Sequence, residues 1–216
     1  SFGAHSGRKC TPFVAPRVDA VALRLDLARR RARGDGDRPG MPRKPRSQPL
    51  DVPIHVMARG VRGAPVYGSA ESKQHLLEIL DRTVERCGWQ VLDWVVMTNH
   101  MHLVVELAEP NLSSGMQYLL SRHGQRWNWR EGEVGHVYMS RFHSIDVRGL
   151  AYRRAAMRYV DLNPVRAGLC AHPADYPWSG YAANAGIRTP ERFHAAELGR
   201  FAVIPDGTAA EYRTFV

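Results

Sequence analysis

Residues 94–107 (WVVMTNHMHLVVEL) constrain the fold more than any other stretch of the chain. Two runs rich in β-branched and large apolar residues flank a Thr98-Asn99 break. That pattern predicts two strands joined by a tight connection, the first ending at Met97 and the second opening at His100. Alternate side chains of a strand leave opposite faces, so His100 and His102 share one face while Met101 and Leu103 enter the other. Paired imidazoles on a rigid strand are able to bind a divalent metal. The same spacing also describes two half-buried histidines that bind nothing.

A second feature lies about sixty residues on, where Tyr159 and Asn163 close an apparent helix at positions i and i+4 and so share one helical face. An amide oxygen there could supply a third, hard ligand, and the phenol a nucleophile. Tyrosine suits phosphodiester transesterification: attack on phosphorus keeps the bond energy in a phosphotyrosine, and the released hydroxyl can reverse the step. A phenol ordinarily holds its proton to about pH 10, so it needs a metal or base near neutrality. No nucleotide cofactor is needed for such chemistry.

Around these features the pattern is regular. Residues 54–59 alternate as a strand and 60–68 form a loop. Residues 69–87 are helical, with a stripe of Leu76, Leu77, Ile79, Leu80 and Val84, stopped by Gly88. Asn111 caps a helix to about Trp129, with Met116, Leu119, Leu120 and Trp127 inward and Arg122, Arg126 and Arg130 largely outward. An interrupted strand over 137–147 and a helix over 150–163, ended by Pro164, complete the set. The order β-α-β-β-α-β predicts an α+β, ferredoxin-like or RRM-like antiparallel sheet with helices on one face plus a C-terminal helix bearing the tyrosine. The other sheet face is then open for a site. Residues 1–50 read as a basic, flexible extension with a short helix over 18–33, residues 51–168 as the domain, and 169–216 as a tail partly packed on it. Within that tail 175–179 read as a packed loop and 188–216 as weakly specified.

The net charge of +9 is uneven. Residues 1–50 hold 12 Lys and Arg against 4 acids, residues 51–115 hold 5 against 8, and residues 116–168 hold 9 against 4. The second half of the domain is thus its basic part. Cys10, Cys87 and Cys170 lie far apart with no CxxC, which indicates neither a zinc ribbon nor a disulfide framework and suits a reducing cytoplasm. No apolar run approaches the roughly 20 residues of a membrane span.

Five ordered blocks resemble the single-tyrosine HUH transposases, and within them the REP-associated tyrosine transposases: 55–60 (HVMARG), 97–105 (MTNHMHLVV), 135–144 (GHVYMSRFHS), 158–168 (RYVDLNPVRAG) and 173–181 (PADYPWSGY). The resemblance implies that His100 and His102 are the HUH metal ligands, Asn163 the third ligand, and Tyr159 the nucleophile. The implied product is a 5′-phosphotyrosine with single-stranded or hairpin, REP-like DNA. The implied ion is Mg2+ or Mn2+, two nitrogens favouring Mn2+, with zinc also open. The chain is expected as a monomer or as a homodimer, since some relatives exchange the tyrosine helix between subunits. Ile54 stands where the family often has Tyr, and Val61 where Asn is common.

Arg59, Arg62, Arg126, Arg130, Arg141 and Arg166 are candidate phosphate contacts, because guanidinium forks fit phosphate oxygens; each equally suits a solvated face. Trp127, Trp129, Phe142 and Trp178 could stack bases or pack. Tyr118, Tyr138, Tyr152, Tyr176 and Tyr181 read as packing groups, and His55, His123, His136 and His143 as hydrogen-bonding or surface groups that could join a metal cluster. The rival readings are a non-catalytic RRM-like nucleic-acid-binding module, a structural Zn2+ site, and an inactive transposase remnant. The catalytic reading requires the helix over 150–163 to lie across the face bearing His100 and His102, with Asn163 and Tyr159 in reach.

Overall fold

A computed structural model describes residues 46–195 and 208–216. The helix expected over 18–33, and all of the basic extension before residue 46, lie outside the described residues. By contacts the chain divides after Met41, and the unit Pro42–Val216 carries the fold below. Strands β1 (Ile54–Arg59), β2 (Gln90–Val96), β3 (His100–Glu106) and β4 (His143–Asp146) form one antiparallel sheet in the order β2-β3-β1-β4. Helix α1 (Ala70–Cys87) joins β1 to β2, and α2 (Leu112–Glu131) joins β3 to β4. This is the β-α-β-β-α-β plan read from the sequence.

Strand alternation decides what each face meets. Ile54, Val56 and Ala58 of β1, Trp94 and Val96 of β2, and Met101, Leu103 and Val105 of β3 pack against Leu76, Leu80, Met116 and Leu119 of the two helices. Ser69 starts α1 by accepting the Ser72 N–H at 3.1 Å, and Gly88 ends it in the left-handed region at φ 65°. Asn111 precedes α2 but does not cap it with its side chain. That amide instead accepts the Trp89 indole N–H at 2.7 Å and donates to the Cys87 carbonyl at 2.8 Å, tying the start of α2 to the end of α1.

The opposite face is not left open. Helix α3 (Leu150–Asp161), the single turns α4 (Asn163–Arg166) and α5 (Tyr181–Asn184), and α6 (Ala209–Phe215) accompany a second core. There Leu92, Val95 and Val104 of the sheet meet Met157, Val160, Tyr176, Tyr181 and Tyr212. A bulge between Val91 and Asp93 frees the Leu92 carbonyl, which accepts from Asn184 Nδ2 at 3.3 Å and faces His194 Nε2 at 3.1 Å. Side chains from the tail therefore satisfy the sheet. His100, Tyr159 and Asn163 are among the groups that stay partly exposed on this side.

One expectation gains detail and two need correction. The interrupted strand over 137–147 is present as a short Gly60–Tyr138 pairing, a break in which Phe142 is buried in the first core, and then β4. The helix over 150–163 ends at Asp161, and Leu162 at φ −83°, ψ 0° separates it from α4. Pro164 has no N–H for the Val160 carbonyl and its ring crowds that group, so the helix breaks before the proline and restarts around it. Residues 208–216 are well specified, since Thr208 and Glu211 form a reciprocal capping box that opens α6.

Gly115 is the tightest helix contact. A Cβ there would stand 2.2 Å from Cζ2 of Trp89, a ring buried to 3% exposure and held by Asn111. Alanine gains about 0.5–1 kcal/mol in a helix over glycine, whereas forcing a methyl into a filled core costs about 1–3 kcal/mol. The steric term wins. Urea denaturation of Gly115→Ala should show a loss of about 1–2 kcal/mol; a gain would mean that Trp89 is free to move.

Candidate active site

The site is assembled by the turn between β2 and β3. Met97 N donates to the His100 carbonyl at 2.9 Å, leaving Thr98 and Asn99 as a two-residue turn. Among the described non-glycine residues only Arg62 has a positive φ, so the turn lacks the left-handed conformation that two-residue hairpins favour. It is held from outside instead. Tyr67 N donates to the Thr98 carbonyl at 2.9 Å and Gly60 N to the Asn99 carbonyl at 2.8 Å, both from the loop after β1.

That same loop orients the first imidazole. Asn99 Nδ2 donates to the Gly63 carbonyl at 3.3 Å, which turns Asn99 Oδ1 towards His100 Nδ1 at 2.7 Å. A neutral His100 therefore carries its proton on Nδ1 and its lone pair on Nε2. His100 Nε2 lies 3.3 Å from Asn163 Oδ1, an approach that a turned Asn163 amide, a proton or a cation equally satisfies. Burial lowers the His100 pKa, with the Arg59 charge acting the same way and the Asn163 contact opposing.

His102 is prepared in the same manner by β1. Its Nδ1 lies 2.9 Å from His55 Nε2, with the rings stacked at 5.0 Å, and its buried Nε2 has no hydrogen-bond partner among the described residues. Burial pushes His55 down to about 4 and His102 well below its ordinary value, the neighbouring imidazoles adding to the latter. His100 Nε2 is thus a neutral ligand atom, and His102 Nε2 is one in the tautomer whose Nδ1 donates to His55. Among the described residues no three His, Cys, Asp or Glu side chains gather as a metal group; the donor set is two imidazoles and an amide oxygen. That set fits a divalent cation of the Mn2+ or Mg2+ kind.

Tyr159 on α3 stands over the same face, its ring edge-on to His102 at 5.4 Å and to His55 at 6.0 Å. The Arg166 guanidinium lies 5.4 Å from the Tyr159 ring centre. The break at Leu162 keeps Tyr159 and Asn163 on one side, and a single chain brings all four groups together. Arg59 lies opposite His100 in the β1–β3 register, and Arg62 follows in the loop at φ 51°. Arg141 belongs to the 135–142 segment. Arg126 and Arg130 sit on α2, on the other side of the sheet, ion-paired with Glu71 at 2.9 Å and Glu131 at 2.6 Å. Trp129 is 79% exposed on α2, while Phe142 is buried and Trp127 and Trp178 are packed on the core. His123 is buried between Ser72 and Tyr138; His136 and His143 are exposed.

Sequence reasoning missed Asn99 and a buried cluster under α3. Tyr212 Oη donates to Asp161 Oδ2 at 2.5 Å, and Asp93 of β2 shares that interior. Burial raises Asp161 to about 7 against the Tyr212 bond, and burial plus the Asp161 charge raises Asp93 well above the usual range. The available signal was a carboxylate set between the apolar Val160 and Leu162.

The family model for IS200-like transposases matches residues 51–163, from just before β1 to Asn163. Among solved structures, a REP-associated tyrosine transposase bound to a REP hairpin is similar, with a TM-score of 0.56 and 16% identity. The match covers 72% of this chain and 90% of that one, a likeness of fold. No curated protein matches.

The depressed histidines set a pH dependence. His55, His123 and His194 are held at about 4, and His102 well below its ordinary value, chiefly by burial. An unfolded chain takes up those protons near pH 6.5 and the folded chain does not, so acidification favours unfolding. Asp161 and Asp93 act oppositely, keeping protons in the fold that the unfolded chain releases above about pH 4. With His75 and His100 also lowered and Glu191 also raised, six imidazoles oppose three carboxyls, and the net term lowers stability as pH falls. The melting temperature should drop between pH 7 and pH 5; a flat or rising profile would contradict neutral buried imidazoles.

Proposed function

The chain belongs to the IS200-like transposase family, and from that premise we propose that it cleaves and rejoins single-stranded or hairpin, REP-like DNA through a 5′-phosphotyrosine. The observation that carries this reading is the 3.3 Å approach of Asn163 Oδ1 to His100 Nε2, with Tyr159 edge-on to His102 over the same sheet face. Nucleophile and ligand atoms then address one phosphate.

In the proposed reaction Tyr159 Oη attacks the phosphorus of the scissile phosphodiester and loses its phenolic proton. The bond from phosphorus to the 3′ oxygen breaks, and that oxygen takes the electron pair and a proton. A 3′ hydroxyl attacking the phosphotyrosine reverses the sequence and rejoins DNA. His100, His102 and Asn163 would hold Mg2+ or Mn2+, which when bound polarises the phosphate and offsets its developing charge. His55 and Asn99 keep the two rings in the tautomers that leave Nε2 free to ligate. Arg166 and Arg59 bring positive charge to the phenol and to the His100 end of the sheet, where a phosphate would sit.

A cleavage assay on hairpin DNA with an unpaired flank and Mn2+ should give a covalent protein–DNA adduct. Tyr159→Phe should abolish it, and His100→Ala should slow it on the order of 10²–10³-fold with the far-UV spectrum kept. EDTA should also stop it. An adduct that persists in Tyr159→Phe would move the nucleophile elsewhere. DNA binding that gives no adduct and ignores EDTA would favour an RRM-like binding module, although this sheet face carries histidines where such modules present aromatic residues.

A further inference from the structure

Beside the first core, the side chains of Ser72, His123, Tyr138 and Tyr67 form a hydrogen-bond circuit that starts and ends in the loop after β1. Ser72 Oγ on α1 lies 2.7 Å from the Val66 carbonyl, and His123 Nε2 on α2 lies 3.1 Å from Ser72 Oγ. Tyr138 Oη lies 2.8 Å from His123 Nδ1, and Tyr67 Oη lies 3.1 Å from Tyr138 Oη. The direction of every bond follows from the first. A carbonyl only accepts, so Ser72 commits its proton to Val66 and must accept from His123 Nε2–H. Neutral His123 then has only a lone pair at Nδ1, so Tyr138 donates there and in turn accepts from Tyr67. Burial keeps that imidazole neutral, holding it at about 4.

The two ends of the circuit, Val66 and Tyr67, are neighbours, so it fastens one loop to α1, α2 and the 135–142 segment together. The Gly60–Tyr138 bridge and the bond from Val61 N to the Val137 carbonyl at 2.9 Å tie that segment to the same loop again. The loop is what holds the β2–β3 turn. Tyr67 N donates to the Thr98 carbonyl, Gly60 N to the Asn99 carbonyl, and Asn99 Nδ2 to the Gly63 carbonyl, which aims Asn99 Oδ1 at His100 Nδ1. With no left-handed residue of its own, the turn takes its shape from these outside bonds.

We propose that Tyr67, Ser72, His123 and Tyr138 are positioning residues for His100: their circuit fixes the loop that aims its Nε2, and so sets the divalent-cation affinity of the His100–His102–Asn163 site. The inference rests on the metal-dependent transferase reading above. Removing an interior member strands two partners. Tyr138→Phe leaves His123 Nδ1 without a donor and the Tyr67 hydroxyl without an acceptor; Ser72→Ala does the same to His123 Nε2–H and the Val66 carbonyl. A half-satisfied network relaxes into other arrangements, and the loop then holds the turn less firmly. The circuit acts through the loop and not on the reacting atoms.

The test is Mn2+ titration of the full chain by EPR, with imidazole nitrogen NMR on the metal-free protein. The wild type is expected to show His123 as the Nε2–H tautomer and His100 as the Nδ1–H tautomer. Tyr138→Phe and Ser72→Ala should each weaken Mn2+ binding about tenfold, the lower end of the roughly 10–100-fold effect of losing groups that orient ligands, and average His100 over both tautomers. Their cleavage rate should return to within about twofold of wild type at saturating Mn2+. Gly115→Ala, strained against Trp89 and away from the circuit, should keep the Mn2+ affinity within about twofold. The inference is overturned if wild-type His123 is the Nδ1–H tautomer, if Gly115→Ala weakens Mn2+ binding as much as the circuit variants, or if saturating Mn2+ leaves their cleavage slow. Adduct formation by the wild type, with Mn2+ affinity and His100 tautomer untouched by the variants, would fail the circuit alone. A wild type that forms no adduct, yet binds Mn2+ through His100 with an affinity the variants weaken, would support the circuit while failing the transferase reading.

Discussion

The two-residue period of β3 is the constraint on which the site depends. One face of that strand is committed to the first core through Met101, Leu103 and Val105, which leaves His100 and His102 no choice but the other. A slip of one residue would bury both imidazoles beneath α1 and α2 and turn three large apolar side chains to the face that α3 covers. The hydrophobic effect therefore specifies a polar site indirectly, by fixing where the apolar alternates must go.

This explains why the histidine pair and the Tyr159–Asn163 pair were legible in the sequence. Each is a local spacing read on a regular element, and local geometry carries over into the fold. The break at Leu162 was not legible at that resolution, since Pro164 signals an interruption without saying on which side of Asn163 it falls. His55 was visible only as a solitary histidine on a strand. Its role comes from the β1–β3 pairing, a contact 47 residues apart along the chain. Asn99 looked like turn punctuation, yet its amide is oriented by Gly63, a partner in another loop. Long-range pairing decides both.

The second core was the least legible part, because its contributors are scattered through a tail with little periodicity. Its polar centre nevertheless does specific structural work. Asp161 lies two residues from both Tyr159 and Asn163, and its bond to Tyr212 ties α3 to α6 while Asp93 lies in the same interior beneath. Buried carboxylates are costly unless neutralised or hydrogen-bonded, so the cluster tolerates few alternative arrangements. A purely apolar contact would let α3 slide along the sheet at small cost. The directional bond from Tyr212 restricts that slide, and with it the position of the phenol over His102.

Charge shows the same difference between composition and placement. The excess of basic residues in the 116–168 stretch invites a reading of one DNA-binding face, but the fold distributes those side chains to different places. Arg126 and Arg130 are ion-paired on the helical layer, and such exposed pairs contribute only about 0–1 kcal/mol. Arg166 lies against Tyr159 and Arg141 lines a groove beside α2, although the sequence presents all four as equivalent. Arg59, from the acidic half of the domain, is the arginine set opposite His100. A phosphate at the site would meet charge drawn from both halves, so the potential there follows from strand register and helix placement rather than from the local balance of residues.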